Sequence, residues 1–173
     1  MLFRSLEQTF PSRGTPGIVW LADTGTSSIG VYMFDPKTEK WRSYPTSAAH
    51  KRLTVDATGK IWVCQTFANG LTMIDPDSGK VTEYKLPLRY GNPQDVAADL
   101  ENNLWMDVAV YNALVKFNPK TGEFMYVPSP ILGAATRKIE ADSRGTIWFG
   151  LGSPSQLTAF KEHGNRPARR AAS

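Results

Sequence analysis

Long apolar runs, paired cysteines and a strong charge of either sign are all missing from this sequence. Its longest apolar stretch, Ile18–Ala22, is about five residues, against the ~20 needed to cross a bilayer as a helix. The opening MLFRSLEQTFPSR has no apolar core of signal-peptide length, so neither a leader nor a membrane partner is expected, and the compartment stays open. With Cys64 as the single cysteine, there is no intrachain disulfide and no cysteine-built zinc site. Lys and Arg number 20 and Asp and Glu 16, a net charge of +4. Four of those basic residues (Lys161, Arg166, Arg169, Arg170) and one acid (Glu162) lie beyond residue 160, leaving 16 basic and 15 acidic residues in the body. A near-neutral body excludes a basic groove as its organising feature, and no specific nucleic-acid partner is expected. No window carries a sustained 3.6-residue apolar stripe, so helix is predicted to be close to absent. What is present is 173 residues, enough for one domain, with a hydrophobic share of 41% that excludes a wholly disordered chain. There are also 14 Gly, 12 Pro and five Trp, the composition of a turn-rich β protein with aromatic anchors.

The aromatic anchors recur at a fixed period. Trp20, Trp62, Trp105 and Trp148 are separated by 42, 43 and 43 residues, with Trp41 outside the series. Three of them end the same word: Asp56-Ala-Thr-Gly-Lys-Ile-Trp62, Asp99-Leu-Glu-Asn-Asn-Leu-Trp105 and Asp142-Ser-Arg-Gly-Thr-Ile-Trp148. Asp bonds backbone N–H groups two residues on, and Gly59, Asn102 or Gly145 accepts the left-handed conformation, so each word is a turn. A second word follows: Phe34-Asp35-Pro-Lys-Thr-Glu39, Ile74-Asp75-Pro-Asp-Ser-Gly79, Phe117-Asn118-Pro-Lys-Thr-Gly122. Pro presets the first corner and Gly closes the turn with positive φ, so Glu39, which stands where the other copies have Gly, is expected to be strained.

Between the turns lie short runs of β-branched and aromatic residues such as Leu53–Val55, Ile61–Val63, Leu71–Met73 and Val81–Tyr84. Each repeat reads as strands A to D, with the Asp at the end of A and the Trp in B. Four antiparallel strands in about 43 residues make one blade of a β-propeller. The prediction is an all-β chain of about 14 or 15 strands in about four four-stranded blades, occupying 17–162. A β-sandwich with coincidental Trp spacing is the alternative, and three matching turn words argue against it. Blades two and three, about 50–89 and 92–130, read as complete. Blade four lacks a strand D, and 163–173 reads as a basic disordered tail. Blade one lacks a strand A, and 1–16 reads as an N-terminal segment whose residues 3–11 form a stray strand D. That strand would close a ring on blade four or belong to a longer propeller, and unclosed edges make a homodimer an expected partner.

The words D-x-x-G-x-I-W, I-D-P-x-S-G-K-V-T-E-Y-x-L-P and D-x-x-x-N-L-W resemble the repeats of streptogramin lyases, the virginiamycin B lyase family, over roughly 17–160. The resemblance implies a larger propeller of the seven-bladed type. It also implies magnesium-dependent elimination across the ester of a cyclic depsipeptide, with a histidine base and glutamates on the metal. Carried over residue by residue, the histidine position meets Lys51, Gln94 or Arg137, and its paired glutamate meets Ala49, Asn92 or Ala135. After the strand-B Trp, the remaining ligand position finds one acid, Asp23. One carboxylate does not assemble a magnesium site. The resemblance therefore implies a lyase-like propeller that is a non-catalytic small-molecule or protein binding module. The alternative is part of a magnesium-dependent C–O lyase acting on a cyclic ester antibiotic.

Several residues are candidates for chemistry. His50, six before Asp56, stands one position from the family's histidine register and is a candidate base, though a partly exposed loop histidine is the plainer reading. Lys51 and Arg52, Gln94 and Asp95, and Arg137 and Lys138 occupy matching positions before strand A. Gathered round an axis they favour a small anionic ligand, since Arg binds carboxylate or phosphate in bidentate fashion. The plainer reading is that these positions are charged because they are wet, with Asp95 and Glu140 neutralising part of the cluster. Cys64 reads as a buried inert thiol, Asp23 as the one metal-ligand candidate, and His163 as a solvated tail residue.

Overall fold

A computed structural model describes residues 10–11, 17–24, 29–129, 136–152 and 155–161, with the backbone alone at 10–11, 136–137, 151–152 and 155–156. Among them the turn words separate fifteen strands. These are β1 (Phe10–Pro11), β2 (Val19–Ala22), β3 (Gly30–Asp35) and β4 (Lys40–Pro45), then β5 (Leu53–Val55), β6 (Ile61–Gln65), β7 (Gly70–Ile74) and β8 (Val81–Lys85). The rest are β9 (Val96–Ala98), β10 (Leu104–Val108), β11 (Ala113–Asn118), β12 (Glu123–Pro128), β13 (Thr136–Ala141), β14 (Ile147–Gly152) and β15 (Ser155–Phe160). They pair in chain order into three four-stranded sheets and one three-stranded sheet, β13-β14-β15. The described residues form four consecutive blades of a β-propeller, and the one helical element among them is a three-residue 3-10 turn, Ala109–Tyr111.

The four tryptophans sit at one register. Trp20, Trp62, Trp105 and Trp148 pair with Phe10, Thr54, Ala97 and Glu140 on the inner strand. This corrects the reading of blade one. Phe10–Pro11 is not a strand D beside blade four but the inner strand of blade one, hydrogen-bonded to β2. The rest of that segment, 1–9 and 12–16, lies outside the described residues, as do 25–28 and the tail from 162.

The Asp-to-Trp word does more than turn the chain. Oδ1 of Asp56 accepts the N–H groups of Thr58 and Lys60 at 2.8 and 3.1 Å, which builds the turn. Its Oδ2 accepts the indole N–H of Trp62 at 2.8 Å. Asp99 holds Trp105 the same way at 2.9 Å, and Asp142 holds Trp148 at 3.1 Å. The indole bond, with the Thr146 and Arg144 N–H groups, keeps the Asp142 carboxyl well below the usual carboxylate range. Six residues from Asp to Trp is thus the distance that returns an indole over its own turn. The second word closes as predicted, with φ of 73° at Gly79 and 75° at Gly122, and Glu39 is forced to 54°.

Three of the four tryptophans pack on the next blade. Trp20 joins Leu53, Ile61, Val63 and Ile74 of blade two. Trp62 joins Val96, Leu104, Met106 and Phe117 of blade three. Trp105 joins Ile139, Ile147 and Phe149 of blade four. These three indoles are buried, whereas Trp148, with no further blade described beside it, is half-buried. Fully burying a large aromatic side chain contributes on the order of 3 kcal/mol, so these contacts are what fix one blade against the next. The inner strand β9 lies against both β5 and β13, which brings the starts of the inner strands together at the axis.

Candidate functional site

At that axial end the strand-A starts of blades two, three and four meet on one carboxylate. Asp95 precedes β9 and is buried. Its Oδ1 accepts the Val96 N–H at 2.9 Å, and its Oδ2 accepts the Ile139 N–H of β13 at 3.1 Å, tying blade three to blade four. Two cations converge on the same Oδ2, Arg52 from blade two at 3.6 Å and Lys138 from blade four at 3.4 Å. Lys138 also bridges Glu140 at 2.7 Å. Burial raises the Asp95 carboxyl above its ordinary value, and Lys138, the Ile139 and Val96 N–H groups and Arg52 hold back part of that rise. Beside this group the Lys51 ammonium donates to the Gln94 side-chain carbonyl. Arg137 takes its predicted place in β13, where its side chain lies outside the described residues.

Asp107, the fourth residue of the buried strand β10, stands under the rim. Its Oδ1 accepts the N–H groups of Asp95 at 2.6 Å and Gln94 at 3.0 Å, which fixes the backbone leading into β9. Its Oδ2 is buried with no hydrogen-bond partner among the described residues. Burial pushes the Asp107 carboxyl up to about 7; the two N–H bonds oppose the shift, and the nearby Asp95 charge adds to it. The sequence did not single out this residue, because the family's ligand position, where Asp23 stands, is the third after the Trp, and Asp107 is the second. The available signal was a lone acid inside Leu104-Trp-Met-Asp-Val108, a strand that is otherwise apolar. Cys64, at the same register in blade two, is fully buried as expected, and burial beside Asp107 and Asp95 pushes its thiol well above the ordinary value.

His50 lies elsewhere, between blades one and two, where its N–H donates to the Asp23 carbonyl at 3.2 Å. It is buried, which corrects the reading of a partly exposed loop histidine. Neither ring nitrogen has a hydrogen-bond partner among the described residues, and burial pulls its pKa down to about 4 against the charges of Glu83 and Asp23. A base of near-neutral pKa is therefore also corrected: this imidazole is neutral and weakly basic. Nearby Glu83 accepts from the Ser47 N–H at 2.9 Å, the Ser47 hydroxyl at 2.6 Å and the Gln65 amide at 2.8 Å, a network the sequence did not announce.

These residues do not fit magnesium. The ion wants several hard oxygens in octahedral array. Both Asp95 oxygens already accept N–H groups beside two cations, and Asp107 offers one open oxygen. Among the described residues, no three His, Cys, Asp or Glu side chains are placed to hold a metal ion, Asp23 included. No described helix is long and apolar enough to cross a membrane.

No protein-family model matches this chain, and no curated protein matches it in sequence. Solved structures do match. Virginiamycin B lyase from Staphylococcus aureus superposes with a TM-score of 0.69 at 21% identity, over 83% of this chain and 52% of that one. A catalytically inactive histidine-to-alanine form of the same lyase, solved with quinupristin, gives 0.73 at 21% identity over 89% and 54%. A streptogramin B lyase gives 0.72 at 20% identity over 88% and 53%. The chain spans about half the length of these lyases and has their propeller fold.

Proposed function

We propose that this propeller is a non-catalytic binding module that takes a small anionic ligand, a carboxylate or phosphate, at the axial rim formed by Lys51, Arg52 and Lys138. The observation that carries the reading is the convergence of Arg52 and Lys138, from blades two apart, on the single buried carboxylate of Asp95. Asp95 and Glu140 together offset only part of the positive charge of Arg52, Lys138 and Lys51. The Arg52 and Lys138 side chains are 25% and 39% exposed, so solvent reaches both. A guanidinium so placed offers the paired N–H geometry that carboxylate and phosphate oxygens accept. Calorimetric titration with citrate and with inorganic phosphate tests this. Saturable binding that weakens with salt and is lost in Arg52→Gln/Lys138→Gln is the expected result. Absence of binding, or binding untouched by the double substitution, overturns the reading.

The second reading, part of a magnesium-dependent C–O lyase for a cyclic ester antibiotic, draws on the likeness to the lyase solved with quinupristin. Against it stand the donor set at the rim and a histidine with a pKa of about 4. Incubated with quinupristin and magnesium, this chain is expected to give no product that a chelator abolishes. Chelator-sensitive product that also disappears in His50→Ala would restore the lyase reading.

A further inference from the structure

Beyond the axial rim, three connections of blades two and three are stitched into one raised surface. The Thr66 hydroxyl of the β6–β7 connection donates to the Pro93 carbonyl at 2.7 Å. The Asn69 amide donates to the Leu88 carbonyl, and the Asn92 N–H donates back to Asn69 Oδ1 at 3.3 Å. From the β10–β11 connection the Tyr111 hydroxyl donates to the Arg89 carbonyl, and the Tyr126 hydroxyl secures Tyr111 at 2.8 Å. On this framework stand Phe67, Tyr90 and Val110, which are 86%, 69% and 67% exposed. Tyr90 has a φ of 56°, and Asn69, Asn92 and Asn112 lie at 54°, 47° and 51°. Asparagine tolerates that region, but a tyrosine there costs on the order of 1 kcal/mol. The fold thus spends stability to hold an aromatic ring out in water, with the Arg89 guanidinium 5.8 Å from the ring centroid.

We propose that this crown docks an acidic segment of a partner protein presenting an aromatic or aliphatic anchor. Side chains this exposed protrude, whereas small-molecule sites are concave, so the occupant is a macromolecule. Tyr and Arg side by side, with Phe alongside, is the composition of interface hot spots, and a cross-bonded framework spares the ordering cost of association. The three connections hold Arg89 and no acid except the buried Asp95. Lys85, at the end of β8, adds a cation against the Ala68 carbonyl, and the one acid near it, Glu83, is bonded to Ser47 and Gln65, so the complementary surface is negative. An anionic lipid surface is the weaker fit, because two basic residues contribute only about 1 kcal/mol each and three apolar side chains make a shallow anchor.

Selection of a displayed random-peptide library on the full chain tests the proposal, with Phe67→Ser/Tyr90→Ser as the comparison. Both sites are exposed, so far-UV circular dichroism and the citrate response of the axial rim are expected to stay as in the parent chain. Selected peptides are expected to combine Asp or Glu with an aromatic or aliphatic residue and to bind the double variant at least about tenfold more weakly. Failure to select any peptide, selection of basic peptides, or equal binding to the variant overturns it. Co-sedimentation with phosphatidylserine vesicles that is lost in the same variant would reassign the crown to a lipid surface and equally overturn it.

Discussion

Asp107 and His50 are both buried titratable residues, with Oδ2 of the one and both ring nitrogens of the other without a hydrogen-bond partner among the described residues, and they bias stability in opposite directions. The Asp107 carboxyl titrates at about 7 in the fold against 3.8 ordinarily, so its contribution is fully present below pH 3.8 and is lost as pH rises through 7. The His50 imidazole titrates at about 4 against 6.5, so its contribution is present above pH 6.5 and is lost as pH falls through 4. Between these limits the two slopes offset one another in the parent chain. Asp107→Asn keeps an acceptor for the Asp95 and Gln94 N–H groups and removes one slope. Its unfolding free energy, from urea titration, is expected to climb from pH 4 to 6.5 and to exceed that of the parent at pH 8 by on the order of 2 kcal/mol. His50→Phe is expected to show the reverse slope, falling as pH rises from 4 to 7. Parallel pH profiles in all three chains would contradict the account. The difference in legibility has a physical cause: Arg52, Asp95 and Lys138 were visible because the repeat placed them at matching positions. Asp107 and the buried state of His50 depend on what packs over them, which no spacing records.

At the scale of the element, the turns carried most of the readable signal. The Asp-Pro word, the positive φ at Gly79 and Gly122 and the strain at Glu39 all follow from short-range sterics, so they could be read from six residues at a time. Glu39→Gly is accordingly expected to raise stability by about 1 kcal/mol, measured as a higher urea midpoint with unchanged slope; an unchanged or lower midpoint would show that the turn is unstrained. The indole bond from Trp62 to Asp56 was hidden, because the same Asp explains a turn without it. Strand β1 was hidden for a different reason. Phe10–Pro11 lacks the terminal Asp of β5, β9 and β13, so nothing local marks it as an inner strand, and only its pairing opposite Trp20 does.

At the scale of the molecule, a period of 42 or 43 residues was enough to establish a propeller, because a blade buries its Trp only on a neighbour of the same build. The chemistry of the axial rim does not follow from that period, and likeness to lyases at 20–21% identity carries the fold without its function. The central claim is that Arg52 and Lys138 make the rim a site for an anion rather than for magnesium. Thermal melts with citrate and, separately, with magnesium chloride test it most directly. Citrate is expected to raise the melting temperature of the parent chain, by linkage to the folded state, and to leave Arg52→Gln/Lys138→Gln unmoved, with magnesium without effect on either. A rise with magnesium and none with citrate would contradict the account.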